Sequence, residues 1–160
     1  MTSTVMPVSP SSAEAQALIR AYLDEAVSRW WGRPATPEEV ARALSDEPTD
    51  DLRDPTGYLA AVIVDGTPVA LGGLRYIDER TAELTKVFTV PWARGQGWGS
   101  AVLAHLEHTA RLHGCEVVRL DTRSDLAEAC RLYELRGYTA VAPFSSSEYS
   151  DRCYELRLHP

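Results

Sequence analysis

Residues 91–100, PWARGQGWGS, hold the densest chemical signal in the chain: Gly95, Gly97 and Gly99, two residues apart, behind Arg94. Lacking a Cβ, these residues let the backbone turn tightly and aim successive N–H groups into one concavity. Val102, Leu103, Leu106 and Ala110 follow at three- and four-residue steps, so a helix begins where the glycines end. That helix adds its own unpaired N–H groups and the positive end of its dipole. The combination is an anion cradle suited to a phosphate or diphosphate, with Arg94 as a further charge. A tight turn with no ligand is the plain alternative. No Lys follows the last glycine, as G-x-x-x-x-G-K-[ST] demands, and G-x-G-x-G after a strand that ends a meander departs from the dinucleotide fingerprint. A nucleotide-binding protein survives only if the loop is read without its context.

A second segment, Ala129-Cys130-Arg131-Leu132-Tyr133-Glu134-Leu135-Arg136-Gly137-Tyr138, lies about 40 residues further on. Taken with the strand ELTKVFTV at 83–90 and R-G-Q-G-W-G at 94–99, it resembles the GNAT superfamily of N-acetyltransferases. Their loop reads [RQ]-x-x-G-x-[GA] and their later segment A-x-x-L-Y-x-x-x-G-[FY]. The likeness covers roughly residues 57–158. It implies a GNAT-like α/β fold of the α+β type: one domain, with a mixed, mostly antiparallel sheet of about six to seven strands flanked by about four helices. It also implies acetyl-CoA as cosubstrate, no metal, and direct transfer to a primary amine through a ternary complex. Arg94, Gly95, Gln96, Gly97, Trp98, Gly99 and Ser100 would then hold the diphosphate. Phe88, Thr89 and Val90 would offer an unpaired strand edge to the pantetheine arm. A non-catalytic acyl-CoA sensor or interaction module of the same fold is the alternative.

A thioester is already activated, so such a site must hold an amine against the carbonyl, take its proton and protonate the departing thiolate. A free alkylammonium, with a pKa near 10.4, stays protonated at pH 7, so a base is needed, acting directly or through a chain of waters. The resemblance points to Glu83 as that base and to Tyr133 as the acid, since a phenol with a pKa of about 10 can donate to a thiolate. The acceptor side is implied to draw on the N-terminal helices, the loop between them and a late loop; Trp30 and Trp31, which close the first helix, could line it or pack on the core, and Trp31 and Tyr149 are taken as its candidate residues. Cys130 has no partner His and is not read as a nucleophile. His105 and His108 fall off the apolar stripe of their helix and are expected to face solvent.

These groups need elements to carry them. Leu18, Ile19, Tyr22, Leu23, Ala26 and Val27 mark a helix over Ala13–Trp30, stopped by Gly32 and Pro34, and Thr36-Pro37-Glu38-Glu39 opens a second that ends near Leu44. Residues 45–54, SDEPTDDLRD, read as a loop too polar to pack. Strands follow at Tyr58–Val64, Pro68–Ile77 and Thr81–Val90, with Asp65-Gly66 and Asp78-Glu79-Arg80 as turns and a bulge or close approach at Gly72-Gly73. The third strand alternates Leu84, Lys86, Phe88 and Val90 on one face with Glu83, Thr85, Val87 and Thr89 on the other. Further strands are expected at Glu116–Asp121, Tyr138–Ala142 and Arg152–Leu158, with a helix at Asp125–Arg136. Residues 1–12 read as a flexible lead-in to a single domain spanning 13–160.

Composition bounds the class. The 16 Lys and Arg against 23 Asp and Glu give a net charge of −7, which argues against a nucleic-acid binder. No run approaches the roughly 20 apolar residues of a membrane span, and residues 1–12 lack the basic start and apolar stretch of a signal peptide. Three cysteines without CxxC spacing suit a reducing cytoplasm. A small-molecule amine is the expected partner, a peptide amine the second choice, and a homodimer stays open. The charge carries a spatial expectation as well: a positive mouth around Arg94 for the cosubstrate, with the acids of 45–54 and Glu83 biasing the opposite side toward a cationic amine.

Overall fold

The computed structural model describes residues 1–159. Seven strands form one sheet in the order β1-β2-β3-β4-β5-β7-β6: β1 Ser3–Pro7, β2 Gly57–Val64, β3 Thr67–Tyr76, β4 Thr81–Thr89, β5 Val117–Thr122, β6 Thr139–Val141 and β7 Arg152–Arg157. Every neighbouring pair is antiparallel except β4 and β5. Four α-helices complete the domain: α1 Ala13–Trp31, α2 Pro37–Asp46, α3 Trp98–Leu112 and α4 Ala127–Leu135. The expected α/β architecture is therefore present.

Local chemistry explains the helix limits. Ser12 Oγ accepts from the Ala15 N–H to start α1, and Gly32, in the left-handed region at φ 69°, ends it. The Thr36/Glu39 capping box opens α2 behind Pro37. Period-two burial along β2 then divides the interior. Ala60 and Val62 face the α3 side with Leu74, Val102, Leu103 and Leu106. Leu59 and Ala61 face α1, packing with Leu18, Ile19, Leu52 and Leu71. Each such aliphatic contributes roughly 1.5–3 kcal/mol on burial. The helix α3 lies close enough to the sheet that a Cβ on Gly72 would stand 2.7 Å from Leu106 Cδ1.

Three expectations are corrected. The lead-in holds a strand: β1 pairs with β2 from Ser3–Val64 to Pro7–Ala60, because β2 otherwise leaves an open ladder. Residues 45–54 do pack, since Leu52 is wholly buried and Thr49 nearly so, while Asp51 grips Arg75 at 2.7 Å and Glu47 grips Lys86 at 2.9 Å. The third correction concerns the faces of β4. Leu71 pairs with Phe88 and Gly73 with Thr85, so Lys86 and Val87 stand against Gly72 alone. The bulge expected at Gly72-Gly73 thus has its extra residue on β4, where Lys86 adopts a left-handed φ of 57°. Strict alternation breaks there. Leu84 and Val87 both pack on the α3 side, whereas Phe88 meets Tyr22 of α1 edge-on at 5.9 Å.

Candidate active site

The strands β4 and β5 run side by side only from Thr81–Val117 to Glu83–Arg119. Beyond that point β4 stays bonded to β3 as far as Thr89 and β5 to β7 as far as Thr122. The two therefore part, and the edge of β4 that faces β5 is without a strand partner from Leu84 onward. Phe88 and Thr89 lie on that edge, with Val90 just past it, its N–H donating to the Val69 carbonyl at 2.9 Å.

The glycine loop stands at the open end of this splay. Gly95 and Gly97 sit at φ 78° and 89°, a region that costs other residues roughly 1–2 kcal/mol, and Gly97 is the N-cap of α3. Among the described residues, no backbone acceptor takes the N–H groups of Gly95 through Ser100. Gly99 lets α3 approach α4, since a Cβ there would lie 2.9 Å from Leu132 Cδ2. The arrangement fits a diphosphate: free N–H donors at a helix terminus, with nothing within 4 Å of a Cβ placed at Gly95 or Gly97.

Arg94 does not join the cradle. Its Nε donates to the Thr89 carbonyl at 2.9 Å and its Nη2 pairs with Glu25 of α1 at 2.7 Å, so the expected positive mouth is neutralised by a carboxylate 69 residues away in sequence. A basic residue does stand beside the loop, unannounced by sequence: the Arg136 Nη1 donates to Ser100 Oγ at 3.0 Å.

Tyr133 is on the buried face of α4, its ring 5.8 Å from that of Tyr138 and 6.1 Å from that of Tyr154. Burial pushes its phenol far above the ordinary tyrosine range, with the Tyr22 phenol adding to the effect. Tyr133 belongs to the core cluster on the α3 side of the sheet, whereas Tyr22 of α1 packs with the cluster on the other. Burial, followed by the charge of Glu47, pushes Tyr22 itself up to about 12.

Glu83 departs from its expected freedom. It forms the last register pair of β4 and β5 with Arg119, whose Nε binds its Oε2 at 2.9 Å. The carboxylate is engaged at the closed end of the splay, because its cross-strand neighbour is a cation. The indole of Trp31 lies under the Arg33 guanidinium at 5.4 Å. The neighbouring Trp30 meets Tyr149 instead, edge-on at 4.9 Å, and supports the Arg123 guanidinium at 5.6 Å. One helical step of 100° separates the two indoles, which composition alone does not distinguish. Trp30, Tyr149, Arg123 and Ser150 line a cleft of about 210 Å³, and Phe88, Pro91 and Glu25 a second of about 620 Å³, with Arg29 on the wall of both. His105 is not fully solvated: it hydrogen-bonds the Tyr58 hydroxyl at 2.6 Å, and burial, then His108, hold its imidazole below the usual histidine range.

Fold and site together define a class, the N-acyltransferases built on a splayed β4–β5 pair with a glycine loop at the head of α3. Residues 15–138 match the model of the acetyltransferase (GNAT) family, and the chain belongs to that family. Comparison with curated protein sequences finds no match. Among solved structures, a protein assigned as an acyl-CoA N-acyltransferase from Klebsiella pneumoniae is 26% identical, with 99% of each chain covered and a TM-score of 0.76. The PaiA N-acetyltransferase of Thermoplasma acidophilum, solved in complex with coenzyme A, shares the fold at 14% identity, 98% and 99% coverage and a TM-score of 0.75. So does spermidine N-acetyltransferase of Vibrio cholerae, solved with CoA and spermine, at 14% identity, 98% and 95% coverage and a TM-score of 0.68. Among the described residues no helix is long and apolar enough to cross a membrane.

Proposed function

We propose that the protein transfers the acetyl group of acetyl-CoA directly to a primary amine, both substrates being bound at once. The observation that carries this reading is the meeting of the free N–H row of Gly95–Ser100 with the unpartnered edge of β4. One end suits a diphosphate and the other an amide-bearing arm, which together are the recognisable parts of CoA. The N–H groups from Gly95 through Ser100 bind the diphosphate, and Phe88, Thr89 and Val90 border the arm. Arg94 acts by fixing the strand end rather than by touching phosphate, as its bonds to Thr89 and Glu25 suggest.

Tyr133 supplies the proton for the thiolate. Its ring is buried, and that burial keeps the phenol protonated throughout the physiological range. The acceptor enters by the cleft of Trp30 and Tyr149, whose rings suit an alkyl or aromatic amine. The complexes of the Vibrio cholerae and Thermoplasma acidophilum proteins make a small amine and CoA natural first ligands to try. The three cysteines, all free and buried, fit a reducing cytoplasm as the working compartment.

The test is thiol release from acetyl-CoA across a panel of polyamines, amino acids, aminoglycosides and short peptides. Release with at least one amine, and no covalent acetyl-protein on the way, is the expected result. Acetyl-CoA binding without thiol release for any amine in the panel would favour the sensor reading.

A further inference from the structure

The transfer needs a proton acceptor at the open splay, and a carboxylate on the acceptor face with an oxygen to spare would serve. Most acids around the opening do not meet that need. Glu83 is held by Arg119 at 2.9 Å, Glu47 by Lys86 at 2.9 Å, Glu25 by Arg94 at 2.7 Å and Asp125 by Arg123 at 2.9 Å, while Arg29 holds Glu128. Asp151 uses both oxygens, each at 2.7 Å, on the N–H and hydroxyl of Ser124.

Asp121 is different. It lies on β5 two residues past Arg119, the last residue to pair with β4, and is still held in the sheet opposite Cys153. Its neighbours Val118 and Leu120 are buried in the core on the α3 side. Period-two geometry therefore turns Asp121 to the α1 face with Arg119. There its charge raises the phenol of Tyr22, alongside that of Glu47 and against that of Arg123. Among the described residues its one side-chain partner is Ser150, whose hydroxyl donates to Oδ2 at 2.9 Å, and no cation stands within ion-pair distance. The second oxygen is left over. Ser150, which holds Asp121, and Arg123, two residues further along the chain, both line the cleft of Trp30 and Tyr149.

We propose that Asp121, oriented by Ser150, receives the acceptor's ammonium and removes its proton. The assignment rests on the acetyltransfer reading above and names its base. The carboxylate takes one proton from R–NH3⁺ and later passes it to solvent. The amine nitrogen then bonds to the thioester carbonyl carbon, and the C–S bond breaks with its electron pair on sulfur. Tyr133 gives its phenol proton to that sulfur and regains one from the nitrogen, leaving amide, CoA thiol and one proton in solution. The acceptor class is accordingly a primary alkylammonium. Besides the acids and cations paired above, the titratable groups whose charges reach this region are Tyr22 of α1 and Tyr133 of α4.

Asp121→Asn keeps the shape and an acceptor for Ser150, so it isolates the charge. With the amine best used by the wild type, kcat at pH 7 should fall at least 100-fold while acetyl-CoA affinity changes less than twofold. The residual rate should climb with pH as the free amine becomes available, and formate should partly restore Asp121→Ala. Spermidine, n-butylamine and glycinamide, titrated by calorimetry into CoA-saturated protein, give a readout independent of turnover: at least one binds the wild type, and Asp121→Asn weakens it tenfold or more. Wild-type kcat and pH profile in Asp121→Asn, a hundredfold loss in Glu83→Gln instead, or no binding of any of the three amines would each overturn the assignment. Failure of the wild type to bind CoA at all would instead remove the functional reading beneath it.

Discussion

Arg136, third from last in the second motif, grips Glu107 of α3 with two nitrogens, Nη2 to Oε1 at 2.6 Å and Nε to Oε2 at 3.0 Å. The Tyr138 hydroxyl donates to the same Oε2 at 3.1 Å, and the third guanidinium nitrogen holds Ser100 Oγ. One buried carboxylate thus joins the glycine loop's helix to the segment that carries Tyr133. Removing the cation would leave that charge with Tyr138 alone, at a cost of roughly 3–5 kcal/mol. Arg136→Met should accordingly lower unfolding stability by that amount in urea titration. Because Ser100 is released too, the KM for acetyl-CoA should rise more than kcat falls.

Leu52 lies in a run of acids yet is wholly buried between α1 and the sheet. A cavity there should be as costly as in any core. Leu52→Ala should lose about 2–5 kcal/mol in the same titration, whereas Asp50→Ala, an exposed neighbour, should change stability by no more than about 0.5 kcal/mol.

Glu39 gives a pH signature. The Arg33 guanidinium, at 2.9 Å from each carboxylate oxygen, and then the Thr36 N–H hold its carboxyl down at about 2. A folded value below the ordinary one means that the contribution is whole above about pH 4.5 and is lost as pH falls through about 2. Carbon-13 titration of the Glu39 carboxyl should show a midpoint near 2 that moves toward 4.5 in Arg33→Met. An unmoved midpoint would refute the pairing.

Tyr133→Phe retains the ring packing against Tyr138 and Tyr154 and removes a hydroxyl that carries no protein hydrogen bond among the described residues. Stability should hold within about 0.5 kcal/mol. The kcat should fall about 100-fold or more, with acetyl-CoA affinity unchanged. A variant with full kcat would take Tyr133 out of the acid role.

What could be read beforehand follows the range of the interactions. Gly95 and Gly97 adopt positive φ because their type permits it, and Ser12, Thr36 and Gly32 bound helices through contacts a few residues away. Such features are local and legible. The bulge at Lys86 depends on Gly72 in a different strand, and the pairs Glu83–Arg119, Arg94–Glu25 and Lys86–Glu47 join residues 36, 69 and 39 positions apart. Charge spacing along the chain gave no sign of these partners. The splay itself, the feature that makes a site possible, arises only when β4 and β5 keep different outer neighbours. The expectation of an acidic, amine-attracting rim changed for the same reason: Glu47, Asp51 and Glu83 are acids with cations already bound.

Thermal unfolding with ligand shows whether the Gly95–Ser100 row and the β4 edge bind a CoA thioester. Acetyl-CoA at 100 times its Kd should add about 2.7 kcal/mol, raising Tm by roughly 5–11 °C for a domain of this size. CoA should act similarly, ATP should not, and Gly97→Ala, strained at φ 89°, should blunt the shift. An unchanged Tm with both acetyl-CoA and CoA would rule that binding out.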